Sequence, residues 1–367
     1  MNNPIVLISI FRESLIGGVA VHSSNLYDRL VENDYPVERI DFAFVFRRPL
    51  ILRRFWIVVK VGFRLLRLRL KGAKIFHFHA SNRALMYYLF GPMLVLTGGR
   101  VFLSIHSGVG YDKWLRSNEL YHRLNRLLMP LLHRLIFMNP EESDRIRKRY
   151  PFLSERIVTV NPFIAPSQSA IPDLTAIVHP EGKMKIATIG VWEQRYNVEE
   201  AVLAAVRFYQ ETKIPTSITV LQSTIRLQPK YKERVMAQIE AARESIDVVI
   251  LEDSNKILEV LAEHDVFIRP SFLDSYGLCV AESLLVGTPA IATDVCRRCS
   301  QAMLYRQGDF DVLHQHLLKA YAEKGKKRKN LLSPSEDSFH GYEREYLRGR
   351  NKSPDATKGA GVRRIEE

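Results

Sequence analysis

Short apolar runs alternate along the chain with longer segments whose apolar residues recur every three or four positions. Ile5-Val-Leu-Ile-Ser-Ile10 is the first run, and its nearly unbroken apolar character suits a parallel strand covered on both faces. Ile75-Phe-His77-Phe-His79, Val101-Phe-Leu-Ser-Ile105, Ile136-Phe-Met138 and Ile157-Val-Thr-Val160 read the same way, with helical spacing between them, as in Asn25-Leu26-Tyr-Asp-Arg-Leu30. Asn139-Pro-Glu-Glu-Ser143 is a capped helix start. Periodicity then fades between Pro162 and Gly182, where prolines and glycines accumulate, and the interdomain hinge is placed there. The alternation resumes with Lys185-Ile-Ala-Thr-Ile189, Ser217-Ile-Thr-Val-Leu221, Val248-Val-Ile-Leu251 and Val266-Phe-Ile268. This pattern predicts an α/β chain in two halves, residues 1–163 and 185–330, joined by a linker over 164–184. Phe339 to Arg348 reads as a further helix within 331–350, and the polar stretch 351–367 is expected to be disordered.

Composition changes this picture in one respect. A length of 367 residues exceeds the usual single-core limit, and 46% hydrophobic with 25% charged residues is ordinary for a globular protein. The formal net charge of +13 is not ordinary, and it points to an anionic partner. Much of that charge sits in Arg47 to Lys71, where Arg53, Arg54, Lys60, Arg64, Arg67 and Arg69 interrupt bulky apolar residues that include Phe55, Trp56 and Phe63. No uncharged run there is long enough to span a bilayer, so the segment reads as a helix lying on an anionic membrane surface. Its apolar face packing on the sheet, with the arginines solvated, is the other reading, and both hold if they concern different faces. No nucleic-acid-binding signature accompanies the charge, and none is expected to bind. Three cysteines and the absence of a basic leader segment fit a cytoplasmic location.

Candidate chemistry concentrates in Arg269-Pro-Ser-Phe-Leu-Asp274-Ser275-Tyr276-Gly277-Leu278-Cys-Val-Ala-Glu282, followed by Gly287-Thr-Pro289-Ala-Ile-Ala-Thr293. A glycine at a loop-to-helix junction lets backbone approach a ligand closely. The first free amides of the helix, near Gly277 and Leu278, form an anion site aided by the helix dipole. A carboxylate one turn further on, Glu282, can accept hydrogen bonds from sugar hydroxyls. Phosphate on amides and hydroxyls on a carboxylate describe a sugar nucleotide.

This segment closely resembles the carboxylate-x7-carboxylate motif of GT-B glycosyltransferases of the large retaining nucleotide-sugar family. Pro270, Ser271, Gly277, Leu278, Glu282, Gly287, Pro289, Ile291, Ala292 and Thr293 match the family pattern, and Asp274 stands where the pattern has its first Glu. The resemblance implies a GT-B fold, two Rossmann-like domains with parallel sheets facing a central cleft, whose final helix crosses back onto the first domain. It implies transfer from a nucleoside-diphosphate sugar, with retention and without a metal ion or other cofactor. Glu282 would hold the nucleotide ribose and Asp274 the donor sugar, with Ser275, Tyr276, Gly277 and Leu278 lining the donor site. Gly17, Gly18, His79 and His106 would face the acceptor, His106 also reaching the reacting sugar.

One junction departs from the family. Where it carries an Arg and a Lys against the donor diphosphate, this chain has Val191 and Tyr196, which leaves Arg195 and Arg269 to supply the charge. Cys296-Arg-Arg-Cys299 has no second ligand pair, so no metal is expected there. Asp309-Phe-Asp311 reads as a helix cap. The basic helix adds an expected lipid-linked saccharide acceptor at the inner face of the cytoplasmic membrane, as in surface polysaccharide assembly. A non-catalytic sugar-nucleotide binder or partner subunit stays open as the alternative, and behind it a basic nucleic-acid-binding protein.

Overall fold

The computed structural model describes residues 4–12, 17–43, 51–81, 84–106, 110–175, 177, 181–254, 256–324 and 329–348. The tail 351–367 and positions 47–50 of the basic segment therefore lie outside the described residues, as do the side chains of 51–54. Two six-stranded parallel sheets carry the fold, each flanked by helices. The first has the order β2-β1-β3-β4-β5-β6, with β1 Ile5–Ser9, β2 Val37–Asp41, β3 Ile75–Ala80, β4 Arg100–Ile105, β5 Arg134–Phe137 and β6 Ile157–Thr159. The second has the order β12-β11-β10-β7-β8-β9, with β7 Met184–Trp192, β8 Thr216–Leu227, β9 Asp247–Glu252, β10 Val266–Arg269, β11 Ala290–Thr293 and β12 Met303–Tyr305. This is the two-domain GT-B arrangement.

Alternation of side chains along each strand decides which core it serves. In β1, Val6 and Ile8 pack with the helices of one face, and Ile5 and Leu7 with those of the other. In β3, Phe76 and Phe78 take the first face, so His77 and His79 fall on the same face as Ile75. That face is covered by the helix Gly18–Glu32 and by the C-terminal helix Phe339–Leu347, through Leu26, Leu30, Phe339, Tyr342 and Tyr346. The last helix thus belongs spatially to the first sheet. Arg29–Asp337 at 3.0 Å and Arg134–Glu345 at 2.7 Å tie it down. The connection between the halves is stitched alternately, with Phe163 packed into the second half and Ile164 into the first.

The basic helix, Ile51–Leu70, divides its faces. Val61, Leu65 and Leu68, at helical spacing, are buried against the first sheet. Phe55, Trp56, Phe63 and Leu70 are exposed, Phe63 to 70% and Leu70 to 79%. No described helix is long and apolar enough to cross a membrane. Asp309 caps the helix Phe310–Ala322 by accepting from the Val312 amide at 3.1 Å.

Candidate functional site

In open parallel sheets, ligands gather beyond the carboxyl ends of the strands where the strand order reverses. In the second sheet that point lies between β7 and β10. β10 ends at Arg269, and the loop after it leads through Asp274 to Gly277, which takes φ 74° as the N-cap of the helix Leu278–Leu285. The left-handed backbone there is one that glycine adopts without strain. A Cβ at this position would collide with the Arg298 guanidinium and lie 3.0 Å from Asp274 Oδ2. Across the cleft, Gly18 comes from the first half, and a Cβ on it would sit 3.8 Å from Leu278 Cδ1. The two glycine-bearing loops that the sequence pointed to therefore approach one another across the cleft.

Asp274 is held more tightly than a free sugar ligand would be. Arg269 Nε and Arg298 Nη1 each donate to its Oδ2 at 2.9 Å, and the Ser275 amide donates to Oδ1 at 3.0 Å. Burial alone would raise its pKa, but the two guanidiniums outweigh burial and hold the carboxyl well below the usual carboxylate range. Arg269 also donates to the Ile189 carbonyl at 2.6 Å and lies 4.7 Å from the Tyr196 ring centroid. Arg298 donates to the Tyr276 carbonyl at 2.8 Å and keeps a buried Nη2 with no partner among the described residues. Arg298 carries no motif signal in the sequence, where only the two flanking cysteines of its segment stand out. A basic residue a few positions beyond the carboxyl end of a neighbouring strand was the available signal.

Arg195 lies beside the same loop, in the short turn Gln194–Tyr196. It pairs with Glu193 at 2.7 Å and leans over Tyr196, so its charge is partly spent locally. Tyr276 turns inward, its hydroxyl 2.9 Å from Glu336 Oε2 and 3.0 Å from Cys299 Sγ. Its side chain braces the loop, and the part of the residue left for a ligand is backbone.

Glu282 is buried in the cleft and lines a cavity of about 280 Å³ with Arg12 and Asn25 of the first half and Ser169 of the connection. Burial pushes its carboxyl up to about 7, with Arg12 pulling the other way. Arg12 is held by the Asn25 side chain and, through its amide, by Ser24 Oγ at 2.9 Å. Neither Arg12 nor Asn25 stood out in sequence, because each acts singly, far along the chain from Glu282.

On the first sheet, His79 Nδ1 and His106 Nε2 are 3.1 Å apart at the ends of β3 and β4. His22, from the helix Gly18–Glu32, stacks edge-on against His106 at 4.7 Å between ring centroids. His77 contacts Tyr346 OH at 2.5 Å and Ser104 Oγ at 2.8 Å, and its ring lies 4.1 Å from that of His79. Burial pushes the pKa of all four histidines down, His22 to about 4 and the others well below their usual range, so the group is neutral. His22 and His77 were missed as site residues in sequence.

The fold is the two-domain GT-B arrangement, and residues 173–329 match the family described as glycosyl transferases group 1. Among solved structures, a glycosyltransferase from Rickettsia africae matches 95% of this chain and 99% of its own, with a TM-score of 0.61 and 13% identity. A UDP-forming trehalose-phosphate synthase from Burkholderia xenovorans matches 95% and 98%, with a TM-score of 0.65 and 10% identity. The Anabaena protein HepE, solved with UDP and glucose, matches 94% and 95%, with a TM-score of 0.61 and 12% identity. No curated protein matches the chain in sequence.

Proposed function

We propose that the protein transfers a sugar from a nucleoside-diphosphate sugar to a hydroxyl acceptor, with retention and without a metal ion or other cofactor at the reacting centre. One observation carries the reading: a helix N-terminus at Gly277 and Leu278 lies one turn from a buried carboxylate, Glu282, which lines a cavity between the halves. The amides take the leaving diphosphate, whose growing charge is where preorganised dipoles help most. Glu282 takes the nucleotide ribose, and Asp274 with Ser275 borders the transferred sugar. Arg269 and Arg195 shape the pocket and contribute positive field, although Asp274 and Glu193 already neutralise part of it. Gly17, Gly18, His79 and His106 lie on the acceptor side. UDP in the complex of the Anabaena protein is consistent with a nucleotide donor, and the base and sugar used here are left to measurement.

The acceptor in this reading is a lipid-linked saccharide at the cytoplasmic face of a membrane, in surface polysaccharide assembly. Phe55, Trp56, Phe63 and Leu70, interleaved with Lys60, Arg64 and Arg67, give the basic helix the composition of an interfacial anchor. Incubation with labelled donors and a lipid-diphosphate saccharide, followed by nuclear magnetic resonance of the product, reads both transfer and anomeric configuration. Product of inverted configuration sinks the retaining part of the proposal.

The second reading, a sugar-nucleotide binder without turnover, draws on the closed ion pairs around Asp274 and on Val191 and Tyr196 at the diphosphate junction. Saturable donor binding with no product from any acceptor tested would favour it.

A further inference from the structure

We propose that His22, His79 and His106 form a binding site for one divalent transition-metal ion, zinc above all, separate from the donor pocket. One nitrogen from each ring lies within 4.8 Å of the other two. A cation placed centrally among such atoms is no more than about 2.8 Å from any of them, against zinc–imidazole bonds of about 2.0–2.1 Å. Each nitrogen then has at most about 0.8 Å to close, which modest ring rotations supply. Three imidazoles with one open position is a ligand set suited to zinc.

Hydrogen bonding supports the geometry. His22 Nδ1 lies 2.7 Å from the Pro162 carbonyl, which can only accept, so Nδ1 carries the proton and Nε2 presents a bare lone pair. An imidazole whose far nitrogen donates to a backbone carbonyl is the usual posture of a metal-binding histidine. His22 Nε2 and His79 Nε2 are both buried with no hydrogen-bond partner among the described residues. Leaving buried polar atoms unsatisfied is costly, and coordination satisfies lone pairs of this kind. Burial favours the neutral form of the three rings, the form that binds metals, and the His79 Nδ1–His106 Nε2 hydrogen bond at 3.1 Å opens when the ion is taken up. His77, held by Tyr346 and Ser104 and stacked on His79, fixes the ring next to the site.

Among the described residues, the electrostatic influences on these three rings come from one another and from His77, with no carboxylate among them. With no carboxylate from the described residues on it, a dication here takes a water as its fourth ligand, and that water ionises readily. His106, the half-buried member, lies on the solvent-accessible side. Coordination would withdraw His106 from the sugar contact given to it above and make the metal a brake on transfer. That consequence rests on the proposed function, whereas the binding does not.

The test is a titration of chelator-stripped full-length protein with zinc and with cobalt(II), without donor. Expected are one equivalent bound, a raised melting temperature and the visible spectrum of tetrahedral cobalt. His22→Gln and His106→Gln each weaken binding roughly tenfold or more, and Cys296→Ser leaves it intact. Zinc-edge X-ray absorption of the wild type gives the same answer without a variant, through a shell of imidazole nitrogens. Failure of both metals to bind, sulfur in that shell, or binding that survives His106→Gln overturns the assignment. Slowed transfer with no tetrahedral cobalt spectrum would also count against it.

Discussion

The two halves of the molecule repeat one architecture and use it with opposite electrostatics. Beyond the second sheet, a charged network of Arg269, Asp274 and Arg298 is buried almost completely. Beyond the first, the corresponding place is filled by four neutral histidines. The sheets differ in strand order as well. The second, read from β9, reverses at β7 and β10, the order of dinucleotide-binding folds, while the first reverses at β1 and β3. A parallel sheet with covered faces thus dictates where a site forms, and the residues at its strand ends decide what the site holds. In the charged half those residues are one contiguous segment plus Arg298. In the neutral half they come from a helix and two strands.

The largest effect should come from breaking the charged network. Arg298→Ala leaves Asp274 buried with one guanidinium instead of two, and loss of a partner from a buried ion pair costs about 3–5 kcal/mol. Chemical denaturation should register it, and a loss below about 1 kcal/mol would mean that Arg298 is not part of the network. Gly277→Ala comes next. Left-handed backbone strain of about 1–2 kcal/mol adds to the collision with Arg298, and donor-induced stabilisation should vanish with it.

Glu282 gives a smaller, pH-dependent signature. Its folded-state pKa of about 7 lies above the ordinary 4.5, so the folded form binds the proton more tightly. The stabilisation is complete below about pH 4.5, is lost as pH rises towards 7, and is absent above it. Its size is on the order of 1–3 kcal/mol. Glu282→Gln should flatten this part of the stability profile and leave the variant at least as stable as wild type at pH 8. An unchanged profile would mean that the carboxyl titrates normally. Smallest in stability is Trp56→Ser with Phe63→Ser on the basic helix, within about 0.5 kcal/mol for exposed positions. The pair should nonetheless lose most binding to vesicles rich in anionic lipid, and retained binding would remove the membrane face from the account. Leu65→Ala, on the buried face of the same helix, costs about 2–5 kcal/mol and separates packing from surface contact.

Legibility in the sequence followed the same divide. Strands such as Ile5–Ser9 and Val266–Arg269 were readable because burial on both faces demands continuous apolar runs. Gly277 and Glu282 were readable because loop, helix start and carboxylate follow within one turn or two of chain. Arg298 was not, since its partner Asp274 is reached only through the fold. Arg12 and Asn25 share the cavity with Glu282 from the opposite half, and no local spacing marks such a meeting. The histidines fell between these cases. His77 and His79 were visible at a strand end, but their company with His22, Tyr342 and Tyr346 depends on the helix packing over that sheet face. The basic helix was ambiguous in sequence because it has two apolar faces, one buried and one exposed.

The central claim is that a sugar nucleotide binds where Gly277 and Glu282 meet the cleft. Its most direct test is thermal stabilisation by UDP-, GDP-, ADP- and dTDP-sugars, measured on wild type and on Glu282→Ala. One donor should raise the wild-type melting temperature, by about 2.7 kcal/mol of stability at a hundredfold excess over Kd, and the shift should disappear in the variant. No shift with any donor, or an equal shift in both proteins, would contradict the placement of the site.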